Sequence, residues 1–302
     1  MNWHKFSPVF FTLLLFLLAQ GVGTLLLLGI VMLISSDFRT AFQSFCSSVV
    51  QGLPIHELLP VSVFSLILIA VNILAVLCCH LFLHNIHFAA TFNISSIKWR
   101  PGMVAILGGF LGALSISILT ESVELPDVML QMSQAMSHNT WGLLALVIAG
   151  PITEELLFRE AIVGEMVRRG TSPWIAIIVS ALAFSSLHLN FAQGLYALPL
   201  GIIFGIIYYK TGNIVLTSTL HILNNSIAAY QLNRDISDFS LSEWLGGAFN
   251  AYAALLLFAV LCFLLIKKFW ETYPMNEIGE ETEKKWSNFR EKSSSLGSNR
   301  EV

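Results

Sequence analysis

WGLLALVIAGPITEELLFREAIVGEMV, running from Trp141 to Val167, decides the fold. At ~1.5 Å of rise per residue, a helix of this length outreaches the ~30 Å hydrocarbon core of a bilayer. Inside this predominantly apolar run stand Glu154, Glu155 and Arg159, within Pro-Ile-Thr-Glu-Glu-Leu-Leu-Phe-Arg, Pro151 to Arg159. Ionisable side chains at such depth are costly unless they are paired or turned towards a cavity, so they mark function. The rest of the chain is read for groups that could meet those carboxylates.

Composition agrees with a membrane setting. The 302 residues are 55% hydrophobic and 12% charged, with a mean hydropathy of +0.73. Soluble domains carry about 25% charged residues. A formal net charge of −3 gives no ground for a nucleic-acid partner. Cys46, Cys78, Cys79 and Cys262 lack CxxC spacing and read as packed or lipid-facing thiols. The first apolar run, Val9 to Ile34, is longer than the ~7–15-residue core of a signal peptide and reads as a retained membrane helix.

Apolar runs predict an all-α, polytopic helical bundle of about eight transmembrane helices: Val9–Ile34, Leu59–His84, Met103–Thr120, Trp141–Val167, Pro173–Leu189, Gly194–Tyr209, Ile214–Gln231 and Gly247–Ile266. If each run crosses once, Lys5, Lys98, Arg100, Arg168, Arg169, Lys210, Lys267 and Lys268 share one side. Glu121, Glu124, Asp127, Asp235, Asp238 and Glu243 fall on the other, with only Arg39 and Arg234 dissenting. The positive-inside rule then makes both termini cytoplasmic. The connector Glu121–Thr140 carries Val123, Leu125, Val128, Met129, Met132 and Met136, an apolar set suited to lying on the outer surface or to an ordinary solvated link. The expected organisation is residues 1–140 with helices 1 to 3, 141–231 as a catalytic core of helices 4 to 7, 232–268 with helix 8, and 269–302 as a charged cytoplasmic tail.

On a helix, Glu155 and Arg159 stand at i, i+4 with the acid first, the favoured order for an ion pair. That pairing leaves Glu154 without a local cation and free to face the bundle interior. Phe184-Ser-Ser-Leu-His188 and His221-Ile-Leu-Asn-Asn225 place further polar groups on two later runs, with His221 and Asn225 a turn apart on one face. Measured from the basic ends, Glu154 lies ~21 Å along its helix, His188 ~22 Å, Asn225 ~18 Å and His221 ~12 Å, so the four fall within one slab. Interhelical hydrogen bonding is the plain reading of each one singly. Together they suit water attack on an amide: a carboxylate as general base, an imidazole to orient water, and N–H groups for an oxyanion. Neither a G-x-S-x-G nucleophile elbow nor an H-E-x-x-H zinc helix occurs. Cys79, His80, His84 and His87 close the second run; the three histidines share a helical face and could ligate a metal, but read better as a polar helix end.

Glu154-Glu155-x-x-x-Arg159, Phe184-x-x-x-His188 and His221-x-x-x-Asn225 resemble, in order, the three motifs of the CPBP family, the CAAX-prenyl-protease and bacteriocin-processing (Abi) group of intramembrane glutamate proteases. The resemblance covers roughly Trp141–Tyr230. It implies that Glu154 activates water with His188, that His221 and Asn225 form the oxyanion site, and that Glu155, Arg159 and Phe184 support them. It implies no cofactor and no metal. The substrate would be a membrane-associated peptide or lipidated protein met in the lipid bilayer, and the setting a multi-pass protein of a prokaryotic plasma membrane. Two alternatives stay open at this point: a zinc protease with Glu154, His188 and His221 as ligands, and a scaffold without proteolysis whose partner is another membrane protein, such as a sensor kinase or immunity factor.

Overall fold

The structure is a computed structural model that describes residues 3–34, 40, 43, 60–121, 123, 127, 129–234, 241–276 and 279–280. Among them there is no strand, and each of the eight apolar runs is a helix. The principal helices are α1 (Trp3–Leu33), α2 (Val61–Leu83), α3 (Trp99–Glu121), α4 (Leu130–Ser137), α5 (Thr140–Arg168), α6 (Pro173–Ser186), α7 (Phe191–Thr211), α8 (Ile214–Asn233) and α9 (Ala248–Thr272). Six of them, α1, α2, α3, α5, α7 and α9, are long and apolar enough to cross a membrane. The other two expected spans differ for separate reasons. Helix α6 has 14 residues, ~21 Å of rise, and ends before His188. Helix α8 has 20 residues, but Thr217, Ser218, Thr219, His221, Asn224, Asn225 and Ser226 dilute its apolarity. The protein is a polytopic, multi-pass helical bundle.

Local signals set the helix ends. Asn139 caps α5 by accepting from the Trp141 and Gly142 N–H groups at 3.0 and 3.1 Å. Asn213 caps α8 by accepting from Val215 N–H at 2.8 Å. Both supply an acceptor to amides that a helix leaves unpaired at its start. Gly212, at φ +63°, closes α7 in the left-handed conformation that glycine adopts without a Cβ penalty.

Helix α5 is the centre of the bundle. Every residue from Leu156 to Gly164 is buried, against α1, α6 and α7. Helix α3 reaches its neighbours through glycines. A Cβ on Gly108 would stand 3.0 Å from Leu265 Cβ and one on Gly112 2.8 Å from Cys262 Sγ, so α3 and α9 pack backbone to side chain. On another face of α3, Gly102 and Gly109 receive Leu216 and Leu220 of α8, which bracket the turn before His221. Outward-facing Leu25, Leu26, Leu33, Leu256 and Phe263 form an apolar rim on α1 and α9, suited to lipid.

Two expectations change. The Glu121–Thr140 connector contains α4, whose Met136 is buried in the bundle rather than laid on an outer surface; Leu125 and Val128 lie outside the described residues. The three histidines of the second run do not share a helical face, because α2 stops at Leu83 and His84 takes φ +51°. His80 Nδ1–H instead donates to Ile86 O at 2.8 Å, and His87 Nδ1 meets Glu160 Oε1 at 2.8 Å. Glu160, not singled out in the sequence, is buried and also bonds Thr91, Tyr208 and Arg168, tying the basic end of α5 to α7 and to the link after α2. Most of Ser35–Leu58, with Arg39 and Cys46, and the charged tail beyond residue 280 lie outside the described residues.

Candidate active site

Adjacent positions on α5 separate the two carboxylates. Glu155 is fully buried, and Arg159 Nε–H donates to its Oε2 at 3.0 Å. The same guanidinium, also fully buried, lies 5.0 Å from the Phe184 ring centroid and 5.5 Å from that of Phe204. Its Nη1 reaches Ser180 Oγ at 3.5 Å, while the Ser180 hydroxyl donates to Phe158 O at 2.7 Å. Aromatic faces carry partial negative charge, so this cage suits a cation removed from water. Glu154 stays 31% exposed and faces a different surface.

That surface is a cavity of about 820 Å³, within the size range of small-ligand sites. Glu154, Phe184, His188, Phe204, His221 and Asn225 all contribute to its wall. The sequence-predicted residues therefore divide in two: Glu154, His188, His221, Asn225 and Phe184 line the cavity, whereas Glu155 and Arg159 lie behind it.

His221 joins the two layers. A carboxylate only accepts, so His221 Nδ1 carries the hydrogen it directs at Glu155 Oε1, 3.1 Å away. Its Nε2 is 3.6 Å from Glu154 Oε2. That separation is longer than a hydrogen bond and leaves Nε2 and Glu154 side by side on the cavity wall. His188 is fixed in the same manner. Its Nδ1–H donates to Phe184 O at 2.9 Å, which leaves Nε2 as the acceptor of the neutral ring. Phe184 meets both imidazoles edge to face, at 4.9 Å from His188 and 5.9 Å from His221.

Asn225 is held by a feature of α5. This helix is π-helical over Leu144–Ala149, where the Gly150 N–H bonds Ala145 O, five residues back. Continuing that register, Leu146 O would take the N–H of residue 151, which is proline and has none. The orphaned carbonyl accepts from Asn225 Nδ2 at 2.9 Å. Tyr196 O–H donates to Asn224 Oδ1 at 2.6 Å, and Asn224 Nδ2 donates to Asn225 Oδ1 at 3.2 Å. The amide is thus oriented from both ends, with one N–H left without a partner among the described residues. Tyr196, Asn224, Ser180 and Phe204 belong to this assembly and were not picked out from the sequence; a polar tyrosine and paired asparagines on apolar runs were the available signal. Among the described residues, no three His, Cys, Asp or Glu side chains are grouped so as to hold a metal ion.

Residues 136–227 match the family model described as "Rce1-like: Type II CAAX prenyl endopeptidase Rce1-like". Over those residues the chain is similar to the CPBP family. The matched region runs from Met136 in α4 to Ile227 in α8 and includes every cavity-lining motif residue named above. Among curated proteins, the UPF0177 protein YbdI of Lactococcus lactis subsp. lactis (strain IL1403) is 26% identical over 141 residues, 45% of this chain and 69% of the relative. No solved structure matches. The CPBP match is to membrane hydrolases of the CAAX-protease kind, in general terms. It leaves out α1, α2, α3 and α9, though α1, α2 and α3 also supply cavity wall.

Proposed function

We propose that this protein is an intramembrane endopeptidase that hydrolyses a peptide bond in a lipidated or apolar membrane-associated substrate, using water activated by Glu154. The observation carrying this reading is the unequal fate of the two neighbouring carboxylates. Glu155 is engaged by Arg159 and His221 and sealed from the cavity, while Glu154 is on the cavity wall with His221 beside it. A general base must reach water, and of the two only Glu154 does.

The water would give one hydrogen bond to Glu154 and one to His188 Nε2. Glu154 takes a proton as the oxygen adds to the scissile carbonyl. The resulting oxyanion receives the free Asn225 N–H and, when His221 is an imidazolium, its Nε2–H. Collapse breaks the C–N bond as Glu154 returns its proton to the leaving amine, which gives a carboxylic acid and an amine. Glu155 and Arg159 act at one remove, by holding the His221 ring. The same proposal puts the protein in a prokaryotic plasma membrane with both termini cytoplasmic. Processing of a peptide such as a pheromone or bacteriocin precursor is the substrate class it favours.

The test uses full-length protein in liposomes with quenched fluorogenic peptides, farnesylated and unprenylated. Glu154→Gln is expected to lower the rate ~10²–10⁴-fold, as loss of a general base does, without changing the amount of folded protein. Chelators are expected to leave the wild-type rate intact. Hydrolysis by Glu154→Gln at the wild-type rate would remove the mechanism.

A further inference from the structure

Two carboxamides on the cavity wall have no part in the chemistry above. Gln20 comes from α1 and Asn72 from α2, both outside the CPBP match, yet both line the cavity that holds Glu154. Gln20 Nε2–H donates to Asn72 Oδ1 at 2.6 Å. Nothing else among the described residues bonds either amide. Two carboxamides serving only to join helices can satisfy each other reciprocally, through two hydrogen bonds. This pair makes one, so the Gln20 Oε1 acceptor and the Asn72 Nδ2 group are left over, beside the second Gln20 Nε2–H. Reversing both amides again leaves one whole NH2 group and one carbonyl oxygen without a partner.

The backbone brings this pair together at some cost. Helix α1 is π-helical over Ala19–Gly23, a widened register that interrupts an otherwise apolar helix at Gln20. Three residues on, Gly23 lets α1 approach α2 closely: a Cβ there would stand 3.2 Å from Val71 Cγ1, the neighbour of Asn72. Unpaired amide groups within a membrane are unfavourable unless they meet water or a partner, and a water-sized or larger cavity is where these can do so. One free donor beside one free acceptor is the complement of a peptide group, which offers a carbonyl and an N–H.

We propose that Gln20 and Asn72 form a backbone-binding subsite, in which Gln20 accepts from a substrate N–H and Asn72 donates to a substrate carbonyl, anchoring an extended peptide in the cavity that also holds Glu154. The subsite rests on the endopeptidase reading and adds how the chain is held. It reads main chain, not side chains, so it favours extended apolar peptides without a fixed sequence. Specificity then comes from the rest of the cavity and from any lipid group.

The experiment compares wild type, Gln20→Leu, Asn72→Leu and the double variant, all full length in liposomes, on the fluorogenic peptides and on versions carrying single backbone N-methyl groups. Binding of the same peptides is measured separately on the Glu154→Gln protein, with and without the two substitutions. Thermal unfolding confirms that each variant is folded. Each single variant is expected to raise KM or Kd about tenfold, the scale of one lost hydrogen bond in a dry site, with kcat changed less than about threefold. One N-methyl position should cost wild type the same factor and the Gln20→Leu protein nothing further. Folded variants with unchanged KM, Kd and N-methyl sensitivity would overturn the subsite, as would a Glu154→Gln protein with Gln20 and Asn72 intact that binds none of the peptides. If Glu154→Gln still cleaves while the binding arm behaves as expected, the hydrolytic mechanism fails and the subsite stands.

Discussion

Arg159 shows what a charge needs in order to sit at the centre of an apolar bundle. It is fully buried, faces one carboxylate, stacks near two aromatic rings, and has an Nη2 with no partner among the described residues. Buried pairs of this kind add little net stability, but breaking one leaves an uncompensated charge. Arg159→Met is therefore expected to lower unfolding stability by ~3–5 kcal/mol. Glu154→Gln, at a partly exposed cavity position, is expected to change it by less than about 1 kcal/mol. Thermal or denaturant unfolding in detergent measures both, and equal effects would contradict the division of labour between the two glutamates. The i, i+4 spacing made the Glu155–Arg159 pair legible from sequence alone. His221 on Glu155 was not legible, because those residues are 66 apart and only the packing of α8 on α5 joins them. The sequence marked His221 as a polar group at the right depth, without indicating that one of its nitrogens is already committed.

At the scale of helices, the site depends on where regular hydrogen bonding lapses. Pro151 follows the π-helical Leu144–Ala149 segment, and the lapse frees Leu146 O for Asn225. The proline is visible in the sequence, but the π register that decides which carbonyl it orphans is not. Helix α6 offers a second case. The apolar run continues to Leu189, but the helix stops at Ser186 and Leu189 takes φ +49°, so His188 sits just past the helix end with its Nδ1–H on Phe184 O. Hydropathy cannot register such an ending, because Leu187 and Leu189 are as apolar as the helix before them. Pro151→Ala tests the first lapse. Restoring the amide gives Leu146 O a backbone donor, which competes with Asn225 Nδ2 and loosens its orientation. Expected are a kcat lower by about tenfold, on the scale of one transition-state hydrogen bond, and a KM close to wild type. Thermal stability should hold or rise, since alanine is favoured over proline in a helix interior by ~3 kcal/mol. An unchanged kcat would show that Asn225 does not depend on the proline.

Across the whole molecule, the cavity and the basic residues occupy opposite ends. Lys5, Lys98, Arg100, Arg168, Arg169, Lys210, Lys267 and Lys268 stand at or just beyond one end of α1, α3, α5, α7 and α9. Several are built into that end: Lys5 Nζ donates to Gly170 O at 2.7 Å, and Arg168 and Arg169 both bond Glu165. The cavity is lined instead by the middle of α1 and by parts of α2, α3, α5, α7 and α8 away from that end, with nothing from α9. From α5 it takes Ala145 to Glu154, from α7 Ala192 to Phe204, and from α8 His221 to Leu232, with Thr120, Asp127 and Leu189 near its rim. If the basic end is cytoplasmic, as the positive-inside rule requires, the site opens away from the cytoplasm and meets substrate from the outer leaflet or the external phase. In a cysteine-free background, cysteines at Gln193 and Gln231 are then expected to react with a membrane-impermeant maleimide added to intact cells. Cysteines at Arg100 and Lys268 should react only after permeabilisation. The reverse pattern would invert the bundle and bring the cavity to the cytoplasmic side. Labelling of all four in intact cells would mean the two ends are not separated by the membrane at all. The charge asymmetry behind this prediction is plain in the sequence, whereas the side on which the cavity lies emerges only once α5, α7 and α8 are packed together.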